Sequence, residues 1–334
     1  MRVTIRDVAH HAGVSNNTVS RVLNDRPDVS PSTRVRVQTV IEELGYRPNN
    51  LARALLRRES RTIGLVVTDC TNPNTARQIR AVQQTMAAGG YAVLIFDTQE
   101  DAERQEAALR VLEEKVVDGI IITPATIQDD ALAHLAHRLP IILLNREMDE
   151  RVACDVVLND NLEGACVAIA HLIANGHTRI GYVTAMREVS TVRDRLRGYQ
   201  AALANADIPF DSLLVERGAI ATEAAAVATL RLLEQRPAPT AIFAYNDFMA
   251  VGVLSAVLNA GRRVPEDIAL VGYDDIVYAP YLQVPLTTIA QQTQEMGVMA
   301  ARLLLERLAG NERPPRRVVL TPHLVVRASS GGQR

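Results

Sequence analysis

Apolar residues near the start of the chain recur with helical spacing: Ile5, Val8, Ala9 and Ala12 fall at i, i+3, i+4 and i+7. Thr4, with Asp7 three residues on, reads as a capping box for this helix, and Gly13 interrupts it. Ser15 can cap a second helix, Asn16 to Asn24, that turns Val19, Val22 and Leu23 inward and Asn16, Asn17, Ser20 and Arg21 outward. A third helix is predicted from Ser30 at the N-cap and Pro31 at the first position, with Val37, Val40, Ile41 and Leu44 as its buried stripe and Gly45 as its stop.

From Thr62 the pattern becomes short continuous apolar runs: TIGLVVTD, AVLIFD, GIIIT and PIILLN, separated by helical stretches near 74–89, 99–116 and 129–138. A second series follows with RIGYVT, AIFAY and IALVGYD. Strands that are apolar throughout and alternate with helices predict parallel sheets covered on both faces, and two series predict two such units. The last segment, LTTIAQQTQEMGVMAARLLLERLAG with RVVLTPHLVVR, is expected to pass back between them.

Two short helices joined by a tight glycine turn and braced by a third form a helix-turn-helix, whose second helix offers its N-terminal side chains to the major groove. Asn16 and Asn17 suit bidentate contacts to adenine, and Arg21, one turn on, suits guanine O6 and N7. The hydroxyls of Thr4, Ser15, Thr18, Ser30 and Thr33 suit backbone phosphates, which position such a module without specifying sequence. The plainer alternative is a three-helix bundle with polar caps.

Charge bears on that choice. The 334 residues carry 36 Lys+Arg and 38 Asp+Glu, a formal net charge of −2, which as an average argues against nucleic acid. Through Arg61, however, there are 11 arginines and 6 acids, and from Thr62 onward 25 bases and 32 acids. The two regions want different partners. Lys115 is the single lysine, which excludes a phosphate-binding Gly-Lys-Ser/Thr loop and a Ser-x-x-Lys nucleophile. Neither Gly-x-Gly-x-x-Gly nor Gly-x-Ser-x-Gly follows any strand. Cys70, Cys154 and Cys166 are scattered, as expected of a reducing compartment. His134 with His137, and His171 with His177, lack acidic or cysteine partners at metal-binding spacing. No cofactor or metal is expected. The charged start is not a secretory signal, and no run reaches the length of a membrane span, so a cytoplasmic protein without membrane contact is expected.

The run TIRDVAHHAGVSNNTVSRVLN, followed by VSPSTRVRVQTVIEELGYRPN and ARALL, resembles the lac-repressor (LacI/GalR) family of bacterial transcription regulators. The likeness continues through GACVAIAHLIANGHTRIGYVT, RLRGYQAAL, AYNDFMAVG and VPEDIALVGYDD, so it spans essentially the whole chain. It implies a helix-turn-helix head on an α/β core of two doubly wound parallel-sheet subdomains of the periplasmic-binding-protein type. The implied division is 1–47 for the head, 48–61 for a hinge helix and linker, 62–160 with 291–320 for one core subdomain and 161–290 with 321–330 for the other. Chain crossings are expected near 160, 290 and 321. In the hinge, Leu55 matches the family's minor-groove wedge, with Arg53 beside it; the alternative is that Leu51, Leu55 and Leu56 are core. A segment of this length is too short to persist alone as a helix, and a wedge would bend the duplex.

Open parallel sheets bind ligands beyond the carboxyl ends of their strands, which here carry Asp69, Asn72, Asp97, Thr123, Asn145, Arg146, Asn246 and Asp274. Arg195, Asn246 and Asp274 match effector-contacting positions of the family, with Asn145, Arg146 and Asn72 as further candidates. An arginine fork with Asn and Asp can satisfy vicinal hydroxyls or a carboxylate, which favours a sugar or sugar derivative. Bland alternatives are helix capping for Asn246 and Asp247, a turn cap for Asp275, and surface pairing for Arg195. One departure matters: where family members often have Asn-Pro and two aromatic residues, this chain has Asn72-Pro73-Asn74-Thr75, which disfavours a flat purine-like ligand. The expectation is a homodimeric repressor that binds operator DNA under control of a small effector, without a heptad tail for tetramers. A sugar-processing α/β enzyme, or a solute-binding module with an incidental head, is the alternative.

Overall fold

The computed structural model describes residues 3–23, 25–46, 59–148 and 152–331. The hinge candidates Arg53 and Leu55 lie outside the described residues. The chain divides into two compact units, Met1–Ser60 and Arg61–Arg334.

The first unit holds α1 (Ile5–Ala12), α2 (Asn16–Leu23) and α3 (Pro31–Glu43). Their apolar stripes meet in one cluster of Val8, Ala9, Ala12, Val19, Val22, Val37 and Val40, with Ile41 and Leu44 half-buried at its margin. Gly13 takes φ 61, a left-handed turn that costs glycine little and ends α1 within one residue.

The second unit contains two six-stranded sheets. The first uses β1 (Thr62–Val67), β2 (Ala92–Asp97), β3 (Gly119–Ile122), β4 (Ile141–Leu144), β5 (Asp155–Asn159) and β11 (Arg317–Leu320), in the order β11-β5-β4-β3-β1-β2. All of its pairings are parallel. The second uses β6 (Ile180–Ala185), β7 (Val215–Gly218), β8 (Ala241–Ala244), β9 (Ala269–Asp274), β10 (Thr287–Ala290) and β12 (His323–Val325), in the order β12-β10-β9-β8-β6-β7. Here only β12 runs antiparallel, against β10. Strands β5, β7 and β10 have no counterpart among the apolar runs read from the sequence; each is only four or five residues long.

Helices α4 (Pro73–Ala88), α5 (Ala102–Glu114) and α6 (Asp130–Ala136) serve the first sheet; α7 (Asn161–Ala174), α8 (Ser190–Asn205), α9 (Thr222–Glu234) and α10 (Asp247–Asn259) serve the second. The stretch 99–116, read as helical, begins instead with Gln99 and Glu100 at positive φ (50 and 61), and α5 starts at Ala102 behind its Asp101 cap.

The chain passes between the sheets three times: from β5 to α7, from β10 into α11 (Thr293–Leu308), and from β11 to β12. Met296, Ala300, Ala301, Leu303 and Leu304 of α11 are buried in the core of the first sheet. The fully buried Asp155 carboxylate ties this return to β5: it accepts from Arg307 Nε and Nη2 (2.8 and 3.1 Å) and from the Arg316 amide (2.7 Å). In the second half α7 and α8 approach so closely that a Cβ on Gly198 would meet the Leu162 carbonyl oxygen at 2.3 Å.

Candidate functional site

In the head, Thr4 donates through both its amide and its hydroxyl to the Asp7 carboxylate (2.8 and 2.7 Å). Those bonds, the amide's first, hold the Asp7 carboxyl below the usual carboxylate range. Ser15 Oγ accepts from the Thr18 amide at 3.1 Å and lies 3.0 Å from the Thr18 hydroxyl. Ser30 Oγ accepts from the Thr33 amide (3.3 Å) and donates to the Thr33 hydroxyl (2.8 Å). All five hydroxyls assigned to phosphates therefore take part in helix-start hydrogen bonding. Asn16 and Asn17 are exposed at the start of α2. Arg21 is also exposed and pairs with Asp28 at 3.0 Å; a surface pair of this kind is worth about 0–1 kcal/mol, so a base edge can displace it.

In the core, the strand ends of the two sheets face one another across a cleft of about 550 Å³. Asp69, Asn72, Asp97, Asn145, Arg146, Arg195, Asn246 and Asp274 all line it, whereas Thr123 is buried and does not. Arg195 is buried in α8, not paired on a helix surface. Its Nε donates to Asn161 Oδ1 (2.9 Å), its Nη1 to the Tyr245 carbonyl (2.5 Å), and its Nη2 lies 3.9 Å from Asp274 Oδ1. The guanidinium carbon sits 3.6 Å from the ring centre of Tyr273 and 4.6 Å from that of Tyr245, so the cation is held by π faces as well as by charge. Asp274 leaves β9 at φ 121, a strained conformation for a residue with a side chain. Its Oδ1 accepts from Gln291 Nε2 at 2.5 Å. Burial pushes its carboxyl up to about 6, against the opposing pull of Arg195 and Gln291.

On the other wall Arg146 forms a fork with Glu100, both nitrogen–oxygen distances being 2.7 Å, and donates to the Pro124 carbonyl at 2.9 Å. Asn145 stands at φ 67 before it. Asn246 caps α10, accepting from the Met249 amide at 2.8 Å while it lines the cleft, and Asn72 caps α4 through the Asn74 amide (2.9 Å). Asn74, at the position expected to lack an aromatic platform, is buried and accepts from the Thr293 hydroxyl at 2.5 Å.

Sequence reasoning missed Glu100, Tyr245 and Gln291 as lining residues of the cleft, although Tyr245 stands within AYNDFMAVG and Gln291 within the last segment quoted above. Asp247, read as a cap, has another role: its oxygens accept from the Thr288 hydroxyl (2.6 Å) and the Ile276 amide (2.9 Å), pinning the loop after β9. Asp275, read as a turn cap, pairs with Arg327 at 2.7 Å. His171 contacts Ser330 Oγ (2.8 Å) and His177 contacts Thr240 Oγ1 (3.0 Å), both packing contacts between elements. Among the described residues no helix is long and apolar enough to cross a membrane, and no group of three acidic, histidine or cysteine side chains could hold a metal ion.

A helix-turn-helix head joined to a two-sheet core with a polar cleft defines a DNA-binding transcription regulator. Residues 4–49 match the model of bacterial regulatory proteins, lacI family, and residues 169–330 that of a periplasmic binding protein-like domain. The chain is 37% identical over 98% of both chains to the HTH-type transcriptional repressor PurR of Photobacterium profundum. It is 36% identical, again over 98% of both, to the ribose operon repressor of Haemophilus influenzae. Among solved structures, a lac repressor dimer bound to operator and the anti-inducer ONPF superposes with a TM-score of 0.89 at 28% identity, covering 99% of each chain. A complex of the transcriptional regulator CelR with cellobiose gives 0.75 at 33%, covering 98% of this chain and 100% of that one. The chain belongs to the lacI family of bacterial regulatory proteins, and the curated relatives named above are repressors.

Proposed function

We propose that the protein is a homodimeric repressor of a pseudo-palindromic operator, released or recruited by a small sugar-like effector in the core cleft. The observation that carries the effector reading is the buried Arg195–Asp274 pair at the meeting of the two strand-end faces, with Asn246, Asn145, Arg146 and Asn72 around it. An effector held between two half-cores favours one arrangement of them, and about 1.4 kcal/mol of preference changes DNA affinity tenfold. Asn16, Asn17 and Arg21 read bases; Thr4, Ser15, Thr18, Ser30 and Thr33 set the head on phosphates; Arg53 and Leu55 act in the minor groove. The functional division follows residues 1–47, 48–61, 62–160 with 291–320, and 161–290 with 321–330.

Dimerisation is supported by the edge of the first sheet. The outermost strand, β2, exposes Leu94 and Ile95 (37 and 40%), an apolar edge that a monomer would leave open to stray pairing. A twofold pair of heads implies an inverted-repeat site. Selection of bound duplexes from a random pool by the full chain tests this: an inverted repeat is expected, and a pool without sequence preference would refute the operator reading.

A further inference from the structure

We propose that Glu100 makes the cleft selective for a neutral polyhydroxy effector, by neutralising the cation that an anionic ligand would otherwise use. This rests on the cleft being the effector site. Among the described lining residues there are four carboxylates, Asp69, Asp97, Glu100 and Asp274, against the guanidinium groups of Arg146, Arg187 and Arg195. Each of the two buried guanidinium groups has a carboxylate opposite it inside the protein. Arg146 directs both terminal nitrogens to Glu100, in a pair whose side chains are 5 and 13% exposed. Arg195 donates to Asn161 and to the Tyr245 carbonyl, and the Asp274 carboxylate lies 3.9 Å from its remaining terminal nitrogen. Only Arg187 remains, exposed at the mouth, where water screens it. A phosphate or carboxylate entering the cleft would thus meet carboxylates without a desolvated partner of its own.

The polar inventory points the same way. The carboxylates that line the cleft ask the ligand for donors, which hydroxyl groups supply and an ionised phosphate does not. A flat heterocycle fares no better. Tyr245 is the one aromatic residue among the described lining, and the Arg195 guanidinium lies over its ring. Asn74 stands where a stacking face would be needed.

The test uses the full chain in titration calorimetry and thermal shift. Its probes are D-ribose, D-glucose, D-fructose and sucrose, then ribose 5-phosphate, glucose 6-phosphate and fructose 6-phosphate, then adenine and guanine. At least one neutral sugar should bind saturably, with its phosphate at least 100-fold weaker. In Glu100→Gln that ratio should shrink at least tenfold, because Arg146 is freed for an anion. A phosphate or purine that binds the wild-type chain as tightly as any neutral sugar overturns the proposal, as does a panel in which no neutral sugar binds. An unchanged ratio in a folded Glu100→Gln removes Glu100 as the determinant. Asp274→Asn separates the two levels: binding of the wrong class that is lost in this variant overturns the selectivity and leaves the cleft reading standing, whereas binding that survives it overturns the cleft reading itself.

Discussion

The raised carboxyl of Asp274 has a measurable consequence for the stability of the unliganded core. Its pKa stands at about 6 in the folded chain against 3.8 for an ordinary aspartate, because burial disfavours the charged form more than Arg195 and Gln291 favour it. For an acid raised on folding, the stabilising contribution is fully present below the unfolded value and is lost as pH rises through the folded one. The whole difference amounts to about 3 kcal/mol at 1.36 kcal/mol per unit, of which about 2 kcal/mol falls between roughly pH 4.5 and 7.5. The Asp247 carboxyl nearby is also raised, by burial first and then by Asp274. Asp274→Asn removes the titration without removing the shape. The assay is scanning calorimetry of both proteins across this range. The wild-type core should lose about 4 °C more than the variant between the two ends, at about 2 °C per kcal/mol for a unit of this size. Parallel curves would refute the assignment of a near-neutral titration to Asp274.

Three further outcomes are expected. Arg21→Ala should weaken specific DNA binding by about 1–3 kcal/mol while changing the head's stability by under about 1 kcal/mol, since it deletes only an exposed pair with Asp28; equal losses on specific and random duplexes in anisotropy titrations would remove it as a base reader. Ser30→Ala should destabilise α3 by about 1 kcal/mol through loss of its cap to Thr33, and unchanged hydrogen exchange at the first-turn amides would count against that. Ile95→Asp, which places a charge on the exposed edge of β2, should shift sedimentation toward the monomer; a concentration-independent dimer would place the interface elsewhere.

What the sequence determined by itself was local. The head could be read helix by helix because its signals act over three or four residues: the stripes of α1 to α3, the caps at Ser15 and Ser30, the turn at Gly13. The strand–helix alternation of the core was legible for the same reason, and seven of the eight residues that the carboxyl-end rule named line the cleft. The tertiary structure alone decided which of those residues meet. Glu100 and Arg146 are 46 positions apart and become a forked pair only because β2 and β4 run parallel and end at the same carboxyl-end edge of one sheet. Asn246 shows the limit from the other side: capping and cleft lining were weighed as alternatives, and the fold gives it both places. Short strands such as β7 and β10 stayed hidden because polar residues break their runs, Glu216 and Arg217 in one and Thr287 and Thr288 in the other. Spacing along a chain reports the face a residue takes on its own element; what stands opposite that face depends on the packing of distant elements, which no local pattern encodes.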